Sequence, residues 1–223
     1  MSKPEGEIRN FIDENSPFIK RAAGIATILE YLKNEGLVET DWEDKKAVEL
    51  GCGAGSGLWL FSTILGADVT GVDDNRWPNI DYWNKASIVN DIPSKIDTSM
   101  GYLKKVESES LDAIFAFDAV SDVWTQEVSE EAYRALGSGG LVLITWQHVN
   151  LTSGDGKWPK GWPAWKGWES IVELSDSKYK REKKFKDFLV DPKAIAKGIV
   201  AVNNSLVSDN LIFPEKFAMV GRK

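Results

Sequence analysis

The sequence predicts an α/β domain whose mostly parallel sheet is covered by helices, and three observations support this prediction. The 223 residues are 43% hydrophobic, which is enough to bury a sizeable core within one domain spanning residues 1–223. Between residues 46 and 146, short apolar runs alternate with helix-like segments, as they do in βαβ units. A glycine-rich stretch joins the first apolar run to the helix-like segment after it.

The first part of the chain predicts an N-terminal helical segment, residues 1–40, followed by a βαβ unit. Apolar residues recur close to helical spacing between residues 22 and 37, and Gly36 is a typical helix stop. The predicted strand, helix and second strand of the unit are Lys46–Leu50, Leu58–Leu65 and Ala67–Val72.

The pattern continues to residue 146 and then breaks. The next predicted elements are a third strand, a fourth strand, a helix and a fifth strand, at Ala86–Val89, Leu111–Phe117, Thr125–Leu136 and Leu141–Trp146. Glycine-rich residues 137–140 are interpreted as the stop of that helix. Residues 150–170, which we call the Trp-rich segment, predict a loop or lid. Two short apolar runs, Asn210–Phe213 and Phe217–Val220, predict a terminal hairpin.

Composition argues against several classes of protein. A net charge of −7 and a pI near 4.9 oppose broad electrostatic attraction to nucleic acid. The chain has one cysteine, Cys52, and one histidine, His148, so we expect no internal disulfide and no metal site. Nothing approaches the roughly 18 apolar residues of a membrane span, and the N-terminus lacks a secretory signal. We therefore expect a cytoplasmic protein without membrane contact.

The strongest functional signal is VELGCGAGSG, residues 48–57, which lies between a predicted strand and a predicted helix. Its alternate glycines let the backbone turn sharply and approach a ligand, while the helix start presents free N–H groups. About 20 residues later, Asp73 ends the second predicted strand, where an acid that binds ribose hydroxyls is expected. Asp74 is the competing acid, and an ordinary tight turn is the alternative to a ligand site.

Two other nucleotide-binding motifs fail on spacing. The G-x-G-x-x-G/A fingerprint of nicotinamide cofactors would place Ser56 at its last position when it starts at Gly51. When it starts at Gly53, that position is Leu58. A P-loop also fails, because no Gly-Lys-Ser/Thr follows the turn.

Residues 45–147 resemble the class I S-adenosylmethionine-dependent methyltransferases. In that family an acidic residue precedes alternate glycines, a pattern matched here by Glu49, Gly51, Gly53 and Gly55. The resemblance assigns Asp73 to the ribose, and Asp91 with Ile92 to the adenine-contacting pair after the third strand. It implies S-adenosyl-L-methionine as cofactor. It also implies a Rossmann-like three-layer sandwich with a mostly parallel seven-stranded sheet, the last strand being antiparallel.

Candidate catalytic residues follow predicted strands, at the edge where open α/β sheets bind ligands. His148 is a candidate general base because its ordinary pKa lies near neutrality, and its alternative is a surface loop histidine. Asp118 and Asp122 follow the fourth strand, and helix capping is their alternative role. Asp118 is also a candidate cofactor contact.

The acceptor of the methyl group is less defined by the sequence. The Trp-rich segment could stack on a flat or cationic small molecule, or it could cover a small core. Lys178–Lys186 combines basic and aromatic residues, a pattern compatible with RNA contact, although a solvated helix face also fits. We expect a small-molecule methyltransferase. The alternatives are an RNA or protein methyltransferase and a non-catalytic nucleoside-binding protein, and the oligomeric state is left open.

Overall fold

The computed structural model describes residues 21–22, 25–26, 28–29, 32–33, 36–38, 41–74, 91–117, 123–146, 170–175 and 217–223. Within these residues seven strands form one sheet. In chain order they are β1 Lys46–Leu50, β2 Asp68–Asp73, β3 Ser94–Ile96, β4 Leu111–Phe117, β5 Leu136–Trp146, β6 Ser170–Ser175 and β7 Phe217–Arg222. No helix among the same residues has the length and apolar character needed to cross a lipid bilayer.

The strands lie side by side in the order β3-β2-β1-β4-β5-β7-β6. Strands β1 to β5 pair in parallel, whereas β7 is antiparallel to both β5 and β6. The prediction of a mostly parallel sheet with an antiparallel last strand is therefore confirmed. The strand order reverses between β1 and β4, so the carboxyl ends of these two strands border the crevice where ligands bind in such sheets.

Three helices follow strands of the sheet. Helix α1 begins as an α-helix at Ser56–Leu58 and continues as a π-helix at Trp59–Ile64. Helix α2 spans Ser99–Leu103 and helix α3 spans Gln126–Ala135. The hydroxyls of Thr98 and Thr125 accept hydrogen bonds from the N–H groups of Gly101 and Val128, which caps α2 and α3. Helical backbone also occurs in the described residues between 21 and 33.

A hydrophobic core fills each face of the sheet. On the first face, the sheet packs against α1 and the N-terminal helical residues, through side chains that include Ile25, Leu29, Ala47, Leu58, Phe61, Val69, Phe115 and Leu143. On the second face, it packs against α2 and α3, through side chains that include Val48, Leu50, Val72, Leu103, Ile114, Val128 and Ala132. Alternate residues of the central strands β1, β4 and β5 thus face opposite cores, which gives the three-layer arrangement.

Aromatic rings fix α1 against the sheet. Phe61 of α1 stacks on Phe115 of β4 with ring centroids 4.0 Å apart. Trp42 meets Phe61 edge-on at 5.2 Å. Because α1 is held in this way, the start of the helix and the turn that precedes it have a defined position at the carboxyl end of β1.

The third strand differs from the prediction. The strand that pairs with β2 is β3, in a register that places Ser94 beside Gly71 and Ile96 beside Asp73. The predicted strand at Ala86–Val89 lies outside the described residues. All three residues of β3 are exposed, Ile96 at 81%. A short exposed strand has no need for an apolar run, so the sequence held no signal for it.

The C-terminal half of the sheet also differs. Strand β5 begins at Leu136, so residues 137–140 lie within a strand and are not the helix stop that we predicted. The register with β4 shifts between Leu111 and Ala113, which marks an irregularity at these glycines. Strand β7 pairs with β5 and with β6, a strand that the sequence analysis did not predict. The expected hairpin partner, residues 210–213, lies outside the described residues.

Candidate cofactor-binding site at the end of strand β1

The turn between β1 and α1 combines three positive φ angles with backbone hydrogen bonds. Gly51, Gly53 and Gly55 have φ angles of 69°, 47° and 81°, in the left-handed region that strongly favours glycine. The N–H of Gly51 donates to the carbonyl of Val72 at 2.7 Å, which ties the start of the turn to β2. The N–H of Gly55 donates to the carbonyl of Cys52 at 2.8 Å, which closes the turn. The turn is therefore a defined structure.

Asp73 lies against this turn. Its Oδ2 atom accepts a hydrogen bond from the N–H of Gly53 at 2.9 Å, across 20 residues of sequence. A carboxylate can accept about four hydrogen bonds, so this bond is compatible with further bonds to ribose hydroxyls. The carboxylate therefore points toward the turn, as a ribose-binding acid would.

The space beside Gly53 supports the same interpretation. A Cβ atom added to Gly53 would have no described atom within 4 Å, so the described residues leave that side of the turn open. An adenosyl group needs an open backbone surface and an acid for its ribose, and the turn and Asp73 supply both. The described residues of the turn and Asp73 are thus compatible with the S-adenosylmethionine that the resemblance implies.

Glu49 occupies a different position from the other predicted cofactor contacts. It is 3% exposed, and its carboxylate lies against Gly57 of helix α1. Burial raises the pKa of this carboxyl from 4.5 to about 8, while the nearby charge of Arg21 and a hydrogen bond from the N–H of Leu58 oppose the shift. Glu49 therefore lies between strand and helix, beneath the turn.

The raised pKa of Glu49 predicts a pH-dependent stability. A folded-state pKa above the unfolded value makes proton binding favour the folded chain, and this contribution is fully present below about pH 4.5. It is lost as the pH rises to about 8. The free energy of unfolding should therefore fall by at most about 1.4 kcal/mol per pH unit in this range. Glu49→Gln stays neutral, so we expect its free energy of unfolding to lack this fall. Urea denaturation of both proteins from pH 5 to about 9 measures the difference. Parallel stability curves for the two proteins would contradict it.

Cys52 is a neutral, buried side chain beside the turn. Burial raises the pKa of its thiol well above the usual range, and the charges of Glu49 and Asp73 raise it further. A thiolate nucleophile at this position is therefore disfavoured, since the reactive form of cysteine needs a lowered pKa. Cys52 therefore packs as a small neutral side chain beside the turn.

Two predicted adenine contacts lie elsewhere than expected. Asp91 is exposed and Ile92 is buried in the core of the first face. Both precede β3, whereas the resemblance placed them after the third strand. The reason is that the strand beside β2 begins at Ser94, further along the chain than the predicted third strand. An adenine contact by Asp91 or Ile92 stays a prediction.

The predicted catalytic residues are not among the described ones. Asp118, Asp122 and His148 lie outside them, as do residues 150–169 of the Trp-rich segment and Lys178–Lys186. Their roles therefore stay predictions. In contrast, the sequence analysis missed two neighbours of Glu49: Gly57, against which its carboxylate lies, and Arg21, whose charge lowers its pKa. A glycine within a helix facing an acidic strand residue is the one signal that could have indicated Gly57.

Comparisons with known proteins match the part of the chain that contains this site. A family described as "Methyltransferase domain" matches residues 48–144, which run from β1 into β5 and include the turn and Asp73. A tRNA N(3)-methylcytidine methyltransferase, trm140, of Schizosaccharomyces pombe is 32% identical over 165 residues, or 65% of this chain and 50% of that protein. The chain thus spans about half the length of this curated relative.

Two solved structures align with much of this chain. A SAM-dependent methyltransferase from Archaeoglobus fulgidus is 14% identical and aligns with a TM-score of 0.49 over 88% of this chain and 94% of its own. Phosphoethanolamine N-methyltransferase 2 from Haemonchus contortus, in complex with S-adenosyl-L-methionine, is 17% identical and has a TM-score of 0.49. That alignment covers 87% of this chain and 51% of the other. The domain match and the site thus lie on the same residues, and residues 48–144 are similar to a methyltransferase domain.

Proposed function

We propose that this protein binds S-adenosylmethionine on the turn at residues 51–55 and transfers its methyl group to an acceptor. The single observation that supports this most is the carboxylate of Asp73, held by the N–H of Gly53 beside an open stretch of glycine backbone. An acid and a bare turn at the carboxyl end of β1 are what a ribose-containing ligand requires.

Methyl transfer depends chiefly on positioning. When bound, S-adenosylmethionine supplies a methyl carbon activated by its sulfonium. The chain's own contribution is to hold the ligand by its ribose at Asp73 and along the backbone of Gly51 and Gly53, so that an acceptor can approach in line. We propose His148 and Asp118 as the residues that take a proton from the acceptor.

For the acceptor we propose RNA, with tRNA as the first substrate to test. The relative from Schizosaccharomyces pombe is named for methylation of tRNA and is 32% identical over 165 residues. The basic and aromatic residues of Lys178–Lys186 agree with such an acceptor. A small molecule is the second candidate, because the net charge of −7 opposes general RNA binding and the Trp-rich segment suits a flat or cationic acceptor.

A labelling experiment separates these acceptors. The protein is incubated with methyl-labelled S-adenosylmethionine and either total tRNA or a pool of small metabolites, with an Asp73→Ala variant as the control. We expect label in tRNA, and nucleoside digestion then identifies the methylated base. Label in the metabolite pool alone would overturn the RNA acceptor. Cofactor binding without label in either pool would favour a non-catalytic protein.

A further inference from the structure

The first turn of α1 lies against a strand side chain. Its N-cap residue is Gly55, which has no side chain to accept a hydrogen bond from the free N–H groups of the helix. The carboxylate of Glu49, which belongs to β1, lies against Gly57 in this first turn. This contact joins the two elements that border the glycine turn.

This contact requires that residue 57 have no side chain. A Cβ atom built on Gly57 would lie 2.5 Å from Oε1, 2.6 Å from Oε2 and 2.7 Å from Cδ of Glu49. Real Cβ atoms essentially never approach other atoms this closely. Glycine at position 57 therefore opens the space that the carboxylate occupies.

The carboxylate of Glu49 has little room to move aside. Glu49 is 3% exposed, and the parallel register places it between Gly71 of β2 and Phe115 of β4. Phe115 is itself fully buried and stacked on Phe61. A displaced carboxylate would enter this packed core, where a buried acid without hydrogen bonds is costly. An added methyl group at residue 57 should therefore move the helix.

We propose that Gly57 is a positioning residue, whose contact with Glu49 fixes the start of α1 relative to β1 and so sets the affinity of the turn for S-adenosylmethionine. This inference rests on the proposed function, because the turn at residues 51–55 is the proposed cofactor site. Gly57 acts through Glu49, with no contact to the ligand required.

The substitution Gly57→Ala tests the inference, because helix propensity predicts the opposite result. Alanine is the better helix former, so an uncrowded helix would gain stability from this change. We expect instead a lower melting temperature and a loss of affinity for S-adenosylmethionine of roughly tenfold, as for overpacking of a core. Calorimetric titration at a temperature where each variant is folded measures the affinity.

A compensating variant keeps the test informative if Gly57→Ala alone folds poorly. Glu49→Asp withdraws the carboxylate by one methylene, so the double variant Gly57→Ala/Glu49→Asp should bind at least about threefold more tightly than Gly57→Ala. A change that merely weakened the fold would show no such rescue. Gly137→Ala is the matched control, because among the described residues its Cβ would meet only the carbonyl oxygens of Glu109 and Leu111, at 3.5 and 3.7 Å.

The outcomes separate this inference from the proposed function. An affinity of Gly57→Ala equal to that of the wild type would overturn the role of Gly57 while leaving the cofactor site intact. So would a double variant in which the separate effects of Gly57→Ala and Glu49→Asp on affinity simply add. A folded wild-type protein that does not bind S-adenosylmethionine would overturn the proposed function itself. Rescue in the double variant, with unchanged affinity in Gly137→Ala, is the result that we expect.

Discussion

Replacing Asp73 by alanine is expected to lower the affinity for S-adenosylmethionine by about 100-fold, which is the largest effect of any single substitution that we predict. The carboxylate is expected to accept hydrogen bonds from both ribose hydroxyls, and bonds to a charged acceptor contribute about 1.5–3 kcal/mol each. The substitution also removes the acceptor of the Gly53 N–H, which helps to hold the turn. Calorimetric titration of both proteins measures the loss.

Two controls define what the Asp73 result means. Asp74→Ala removes the neighbouring acid, which lies beyond the last residue of β2, and should change the affinity by no more than about threefold. Asp73→Asn keeps the shape of the side chain and should fall between wild type and Asp73→Ala. If Asp74→Ala were the damaging change, the assignment of the ribose to Asp73 would be wrong.

Replacing Gly53 by alanine is expected to lower the affinity at least tenfold, by about 1.4 kcal/mol or more. A Cβ at this position would project into the open side of the turn, where the described residues leave 4 Å clear and where we place the ligand. The φ angle of 47° adds backbone strain of roughly 1–2 kcal/mol for a residue other than glycine. Affinity and stability should therefore both fall.

Gly139→Ala is the matched control for Gly53→Ala. Gly139 has a φ of 76° and likewise has no described atom within 4 Å of an added Cβ. It lies near the amino end of β5, away from the turn. We expect a similar loss of stability, measured by urea denaturation, and an unchanged affinity. Equal losses of affinity in both variants would show that Gly53 acts through the fold and not at the ligand.

The parts of the fold that could be predicted are those that leave a pattern in a short stretch of sequence. The bounds predicted for β1 and β4 agree with the structure, since both strands are buried on both faces and therefore apolar. The turn at residues 51–55 was found because positive φ angles require glycine there. Asp73 followed from its fixed distance along the βαβ unit, and the structure brings it to the turn.

The parts that escaped prediction depend on tertiary structure. Strand β3 is short and exposed, so its pairing with β2 leaves no apolar pattern in the sequence. The contact between Glu49 and Gly57 joins a strand to a helix, and neither residue alone indicates it. Asp91 was assigned relative to a predicted third strand that precedes it, whereas the observed strand beside β2 begins at Ser94, after it.

A crystal structure with bound S-adenosylhomocysteine tests the central claim most directly. We expect both ribose hydroxyls within hydrogen-bonding distance of the Asp73 carboxylate, and the amino-acid portion of the ligand along the backbone of Gly51, Gly53 and Gly55. Density for the ligand away from this turn, or an Asp73 side chain that makes no contact with the ribose, would contradict the account.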